Sequence, residues 1–130
     1  MKRTLLTVFV ISVFAALCSA QDDAAYTAAM KAVNASNRPL RAAITAKDTA
    51  AASAEAAKIA TAFDTVLAYW KAKKVDDAIG FATTAHDAAK TIADAKDADA
   101  QAAALPKLSA TCNGCHMVHR GGAPPNFEIK

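Results

Sequence analysis

Glycine and proline are scarce in this chain, four of each among 130 residues. With alanine abundant, that composition favours helix at almost every position. No convincing strand pattern appears, which disfavours the βαβ setting of a thioredoxin-like dithiol. Cysteine is nearly absent as well: only Cys18, Cys112 and Cys115 occur. A structural zinc site takes about four ligands, and His86 and His119 lack the paired spacing that would complete one. Long apolar runs are missing too. The apolar stretch from Leu5 to Leu17 is shorter than the about 20 residues a membrane span wants, so no stable membrane anchor is expected. Strong charge of one sign is lacking: the formal net charge is +3, and nucleic-acid binding has little support. No nucleophilic triad, carboxylate dyad or phosphate loop is evident.

What is present begins at the N-terminus. Lys2 and Arg3 precede the apolar run, and Cys18-Ser19-Ala20 leads into Gln21-Asp22-Asp23. This is the layout of a secretory signal peptide, with cleavage expected after Ala20. Leu17 is bulky where lipoprotein signals carry a small residue, so Cys18 leaves with the signal. Removing Lys2 and Arg3 lowers 15 basic residues to 13 against 12 acidic ones, a net +1. The expected mature chain, residues 21–130, forms one domain in an exported, periplasmic compartment.

The second feature is Cys112-Asn113-Gly114-Cys115-His116. C-x-x-C-H is the attachment signature of a c-type haem. The two thiols add to haem vinyl groups as thioethers, and the adjoining imidazole becomes the proximal iron ligand. One covalent haem c is therefore the expected cofactor, held by Cys112 and Cys115, with His116 on the iron.

The helical pattern predicts four helices, at about 23–46, 49–73, 76–95 and 98–120. Asp48 with Thr49 caps the second, Asp76 or Asp77 opens the third, and Asp97 with Asp99 starts the fourth. Gly121-Gly122 ends the fourth and Pro124-Pro125 prevents its resumption. Tyr26, Met30, Val33, Asn37, Leu40 and Ile44 form an inward seam in the first helix, which crosses Pro39. Ile59, Phe63, Val66 and Trp70 repeat it in the second, and Leu105, Leu108, Cys112 and Cys115 in the fourth. Helix three is weaker, with Ile79, Phe81, Ala82, Ala85, Ala88 and Ile92, and Pro106 either delays or bends the fourth. Short connections make neighbours antiparallel, so the expected fold is an all-α, up-down-up-down four-helix bundle with haem near one end.

In that arrangement Met30 and His116 lie at nearly one level, about 10 Å and 6 Å from their helix ends by helical rise. Met30 is then the leading distal ligand, a thioether suited to an electron carrier; the alternative is an adaptable core methionine. Met117 and His119 share the proximal helix and cannot reach the opposite face. Arg120 follows His116 by four residues. Either it contacts the haem edge or a propionate, or it is a favourable cation at a helix C-terminus. His86 reads as a surface or satisfied histidine, and Tyr69 and Trp70 as core.

Taken together, the leader, the four alanine-rich helices, the haem motif and Val118-His119-Arg120 resemble the class II c-type cytochromes, the cytochrome c-prime family. The resemblance covers nearly the whole mature chain. It implies an exported bacterial four-helix bundle, often a homodimer. Its high-spin members leave the distal face open to NO or CO, while low-spin members use a first-helix methionine and carry electrons. Tyr26-Thr27-Ala28-Ala29-Met30-Lys31 matches the low-spin pattern. The expected function is non-enzymatic single-electron transfer between periplasmic redox proteins, and the alternative is gas binding. The family commonly carries an aromatic where His119 stands and an arginine where Tyr26 stands.

Overall fold

The computed structural model describes the backbone of residues 2–124 and 126–130, with side chains from residue 22 onward. Four helices, α1 (Lys2–Thr45), α2 (Thr49–Lys73), α3 (Asp76–Asp94) and α4 (Ala98–His119), pack against one another and are followed by two short strands, β1 (Arg120–Ala123) and β2 (Asn126–Ile129). The expected signal peptide, residues 1–20, has its side chains outside the described residues. α1 does not begin near residue 23 as anticipated but runs from Lys2. No glycine or proline interrupts the chain before Pro39, so nothing local stops the helix earlier. No helix among the described residues is long and apolar enough to cross a membrane.

The helix ends follow from capping chemistry. The carboxylates of Asp48 and Asp97 accept from the Ala51 and Ala100 N–H groups at 3.0 and 2.8 Å, each satisfying an orphan donor of a first turn. α1 and α2 stop in the same way. Lys47 and Lys74 adopt the left-handed conformation, each with φ 57°. The following N–H groups reach back to the Ala43 and Trp70 carbonyls at 2.9 and 3.3 Å, completing Schellman closures. Pro39 lies inside α1 and Pro106 inside α4. Neither ends its helix, and Pro106 does not delay the start of α4.

The core is narrow because alanine lines so much of it. Ala52, Ala56, Ala82, Ala85 and Ala89 let α2 and α3 approach closely, while Leu40, Ile59, Val66, Trp70 and Ile92 fill what remains. α2 packs on α1 and on α3, and α3 packs on α4, but α1 and α4 scarcely meet. One bridge between them is Arg41, whose Nη2 donates to Ser109 Oγ at 2.6 Å. At the N-terminus of α4, buried Gln101 joins three helices: its Nε2 lies 3.0 Å from the Thr49 carbonyl, 3.0 Å from Ser53 Oγ and 3.3 Å from the Ile92 carbonyl.

The C-terminal hairpin corrects the expectation that no strand would form and that α4 would reach residue 120. β1 and β2 pair antiparallel, Gly121 opposite Glu128 and Gly122 opposite Phe127. Gly122 has φ +72°, and a side chain there would collide with the Asn126 carbonyl, so glycine here permits pairing as well as ending the helix. The Lys130 N–H then donates to the His119 carbonyl at 2.9 Å, satisfying a last-turn acceptor of α4.

Candidate functional site

The space left between α1 and α4 is a cavity of about 390 Å³, within the size range of small-molecule and cofactor sites. Its walls come from every helix. α4 contributes Cys112, Cys115 and His116; α1 contributes Met30; α2 supplies Phe63 and Val66; and α3 supplies Phe81, Ala82 and Ala85. Cys112, Cys115 and His116 share one face because they stand three and four residues apart on a helix. Gly114, between the thiols, is needed for close approach: a Cβ there would lie 3.0 Å from Phe81 Cε1. The aromatic wall can therefore sit against the motif.

Burial governs the ionisation of these groups. It pushes the Cys112 thiol up, and it raises Cys115 to about 11, with the neighbouring Cys112 and Asp77 adding to the effect. Both thiols are thus protonated at neutral pH, and they are not joined in a disulfide. A redox dithiol needs a lowered thiol pKa to generate its attacking thiolate, so these electrostatics are those of a poor thioredoxin-like centre. Burial, and then the Arg120 guanidinium, holds the His116 imidazole below its ordinary value. The neutral ring is the form that binds metals.

Among the described residues no group of three or more His, Cys, Asp or Glu side chains could hold a metal ion by itself. A haem does not require such a group, because the macrocycle supplies most of the coordination and the protein only the axial ligands. The side chains facing the cavity suit it: thiols for attachment, a neutral imidazole, a thioether on a different helix, and largely apolar walls.

The remaining predicted residues divide clearly. His119 stands at the cavity edge, its side chain only 10% exposed, with Nε2 2.9 Å from Asp77 Oδ2. Its ring packs 5.1 Å from Trp70. Arg120 begins β1 rather than ending α4; its Nη1 is 3.5 Å from His116 Nδ1, and its guanidinium lies 3.9 Å from the centre of the Phe127 ring. His86 lies outside the cavity, with Nδ1 3.0 Å from Asp87 Oδ1 and Nε2 3.5 Å from Asp64 Oδ1. Met117 is 83% exposed and does not line the cavity. Tyr26 and Phe81 line it, whereas Tyr69 and Trp70 form the layer behind Tyr26.

Sequence reasoning missed two parts of the site. Phe127, Glu128 and Ile129 of β2 form a further wall; the alternation of Phe127 and Ile129 was the only signal, over too few residues to distinguish from a loop. Arg41 was also missed, although with Asn37 and Ser109 it borders a smaller cavity next to Cys112. Its pairing joins residues 68 positions apart, which no local pattern encodes. No protein-family model, no curated protein and no solved structure matches this chain.

Proposed function

We propose that the protein is a mono-haem c-type electron carrier of the class II kind, attached through Cys112 and Cys115 and ligated by His116 and Met30. In this reading the chain is exported to the periplasm with loss of residues 1–20. Its helices run up-down-up-down with the haem near one end, and its partners are periplasmic redox proteins. The observation that carries the reading is the convergence of the C-x-x-C-H side chains from α4 and Met30 from α1 on one cavity where those helices part.

The protein's own residues act by holding and shielding. Cys112 and Cys115 fix the position of the cofactor along α4, and His116 presents a neutral nitrogen because burial and Arg120 disfavour its protonation. Met30 offers a soft thioether to the same cavity from α1, a helix tied to α4 by the Arg41–Ser109 bond. Phe63, Val66 and Phe81 present an apolar wall to the cavity. β2 closes one side, held to α4 by the Lys130–His119 bond. When bound, haem supplies a reversible one-electron couple whose potential is raised by methionine–histidine ligation.

Denaturing the purified protein in acidic organic solvent tests attachment. The haem should remain with the polypeptide, and Cys112→Ala/Cys115→Ala should abolish that retention. Complete extraction from the unmutated protein would contradict the proposal.

A further inference from the structure

In the seam between α1 and α4, next to Cys112, lies the smaller cavity, with a volume of about 70 Å³. Asn37 and Arg41 reach it from α1, one turn apart, and Ser109, Cys112 and Asn113 reach it from α4. Asn37 and Cys112 also line the larger cavity, so the two spaces share a wall. One water needs about 10–15 Å³ of such space. The pocket therefore has room for a small polyatomic ion.

Its hydrogen bonds leave this pocket rich in donors. Arg41 Nε donates to Asn37 Oδ1 at 3.2 Å and Arg41 Nη2 donates to Ser109 Oγ at 2.6 Å. The Ser109 hydroxyl donates its own hydrogen to the Leu105 carbonyl at 3.1 Å. The acceptors of Asn37 and Ser109 are thus engaged by the guanidinium, which they hold in place. Three of its five N–H groups remain without a partner among the described residues. Asn37, with its oxygen turned to Arg41, keeps both amide hydrogens, and the Asn113 amide can also donate. Charge points the same way. The guanidinium is a permanent cation, and among the described residues no carboxylate pairs with it. Its field reaches the pocket wall: burial raises the Cys112 thiol, and the Arg41 charge opposes that rise. Donors and positive charge without a carboxylate attract an anion and repel a metal ion.

We propose that this pocket binds a small monovalent anion, of chloride or nitrite size, held by the Arg41 guanidinium and the side-chain amides of Asn37 and Asn113. One cation matches one negative charge, and the volume leaves out larger organic acids. The bound anion joins α1 to α4 beside Cys112, reinforcing the Arg41–Ser109 bond where the two helices otherwise scarcely meet. Arg41 is exposed, so the anion exchanges with solvent. The site stands whether or not the larger cavity holds a haem.

The test uses the full purified protein. The linewidth of the chloride-35 magnetic resonance is followed as sodium chloride is titrated in, with ionic strength held constant by sodium gluconate, whose anion is too large for the pocket. The expected result is an excess broadening that saturates with chloride. Arg41→Gln and Asn113→Asp should each weaken that binding by about tenfold or more. Arg38→Gln, on an exposed arginine of α1 outside the pocket, should leave it unchanged. Asn113→Asp puts a competing carboxylate in the pocket and leaves the Arg41–Ser109 pair intact, so it decides the matter should Arg41→Gln fail to fold. Crystals soaked in sodium bromide should show an anomalous peak within hydrogen-bond distance of Arg41. Broadening that persists in Asn113→Asp, broadening lost equally in Arg38→Gln, or a pocket without bromide would overturn the proposal.

Discussion

Gln101 offers a quantitative test of how the bundle holds α4 in place. Its Nε2 carries two hydrogens, so at most two of the acceptors at 3.0, 3.0 and 3.3 Å receive a full bond. Ile92 lies in the last turn of α3, where carbonyls lack an intrahelical donor. At about 1 kcal/mol per net bond the amide contributes about 2 kcal/mol. Its Oε1 is buried without a partner, at a cost of about 1 kcal/mol. The polar end therefore stabilises by only about 1 kcal/mol net, and Gln101→Met, which keeps most of the volume, should lose about that much. Gln101→Ala also opens a void at a site only 1% exposed, bringing the loss to about 3 kcal/mol. Guanidinium unfolding followed by the fluorescence of buried Trp70 measures both. The melting temperature should fall by about 4 °C for the methionine variant and about 12 °C for the alanine variant. A Gln101→Met protein as stable as the parent, or a Gln101→Ala protein within about 0.5 kcal/mol of it, would refute the reasoning.

Two further outcomes follow from helix ends and titration. Lys74→Gly should stabilise by about 0.5–1 kcal/mol in the same denaturation assay, because the αL backbone at φ 57° strains a side-chain-bearing residue; a loss of stability would show that the Lys74 side chain matters more than its backbone. The His119 bond holds the Asp77 carboxyl below the usual carboxylate range, so its stabilisation is present above that range and is lost as pH falls through the lowered value. Asp77→Asn should therefore unfold more readily than the parent at pH 6 and converge with it in strong acid, and a gap that persists in strong acid would contradict this assignment.

Much of the scaffold was legible because it is set by local chemistry. Asp48, Asp97 and the acidic start at Asp76 and Asp77 mark helix openings within a chain otherwise uniformly helical, so α2 begins and ends where the pattern placed it. The inward seam of Ile59, Phe63, Val66 and Trp70 is buried as its spacing requires. The shared position of Met30 and the cysteine motif on one cavity was also readable, since helical rise converts residue number into depth. Long-range polar contacts were not legible. Gln101 and Arg41 look like ordinary surface residues in an alanine-rich sequence, and only packing shows that one is buried among three helices and the other spans α1 and α4. The hairpin was hidden because Gly121-Gly122 serves equally as a helix stop and as the flexible strand that pairs with β2. The aromatic cluster was similarly divided: its members were visible, but the contact between Tyr69 and Asp23 spans 46 positions and depends on how α1 lies on α2.

The central claim, that Met30 and His116 face each other across one haem iron, is tested most directly by near-infrared absorption and paramagnetic resonance of the ferric protein beside Met30→Ala. The account predicts a low-spin parent with a methionine-to-iron charge-transfer band. In Met30→Ala the band should vanish, with high-spin iron and new affinity for CO or NO. A parent already high-spin, binding CO readily and little changed by Met30→Ala, would contradict electron transfer through a methionine-ligated haem and favour the gas-binding reading.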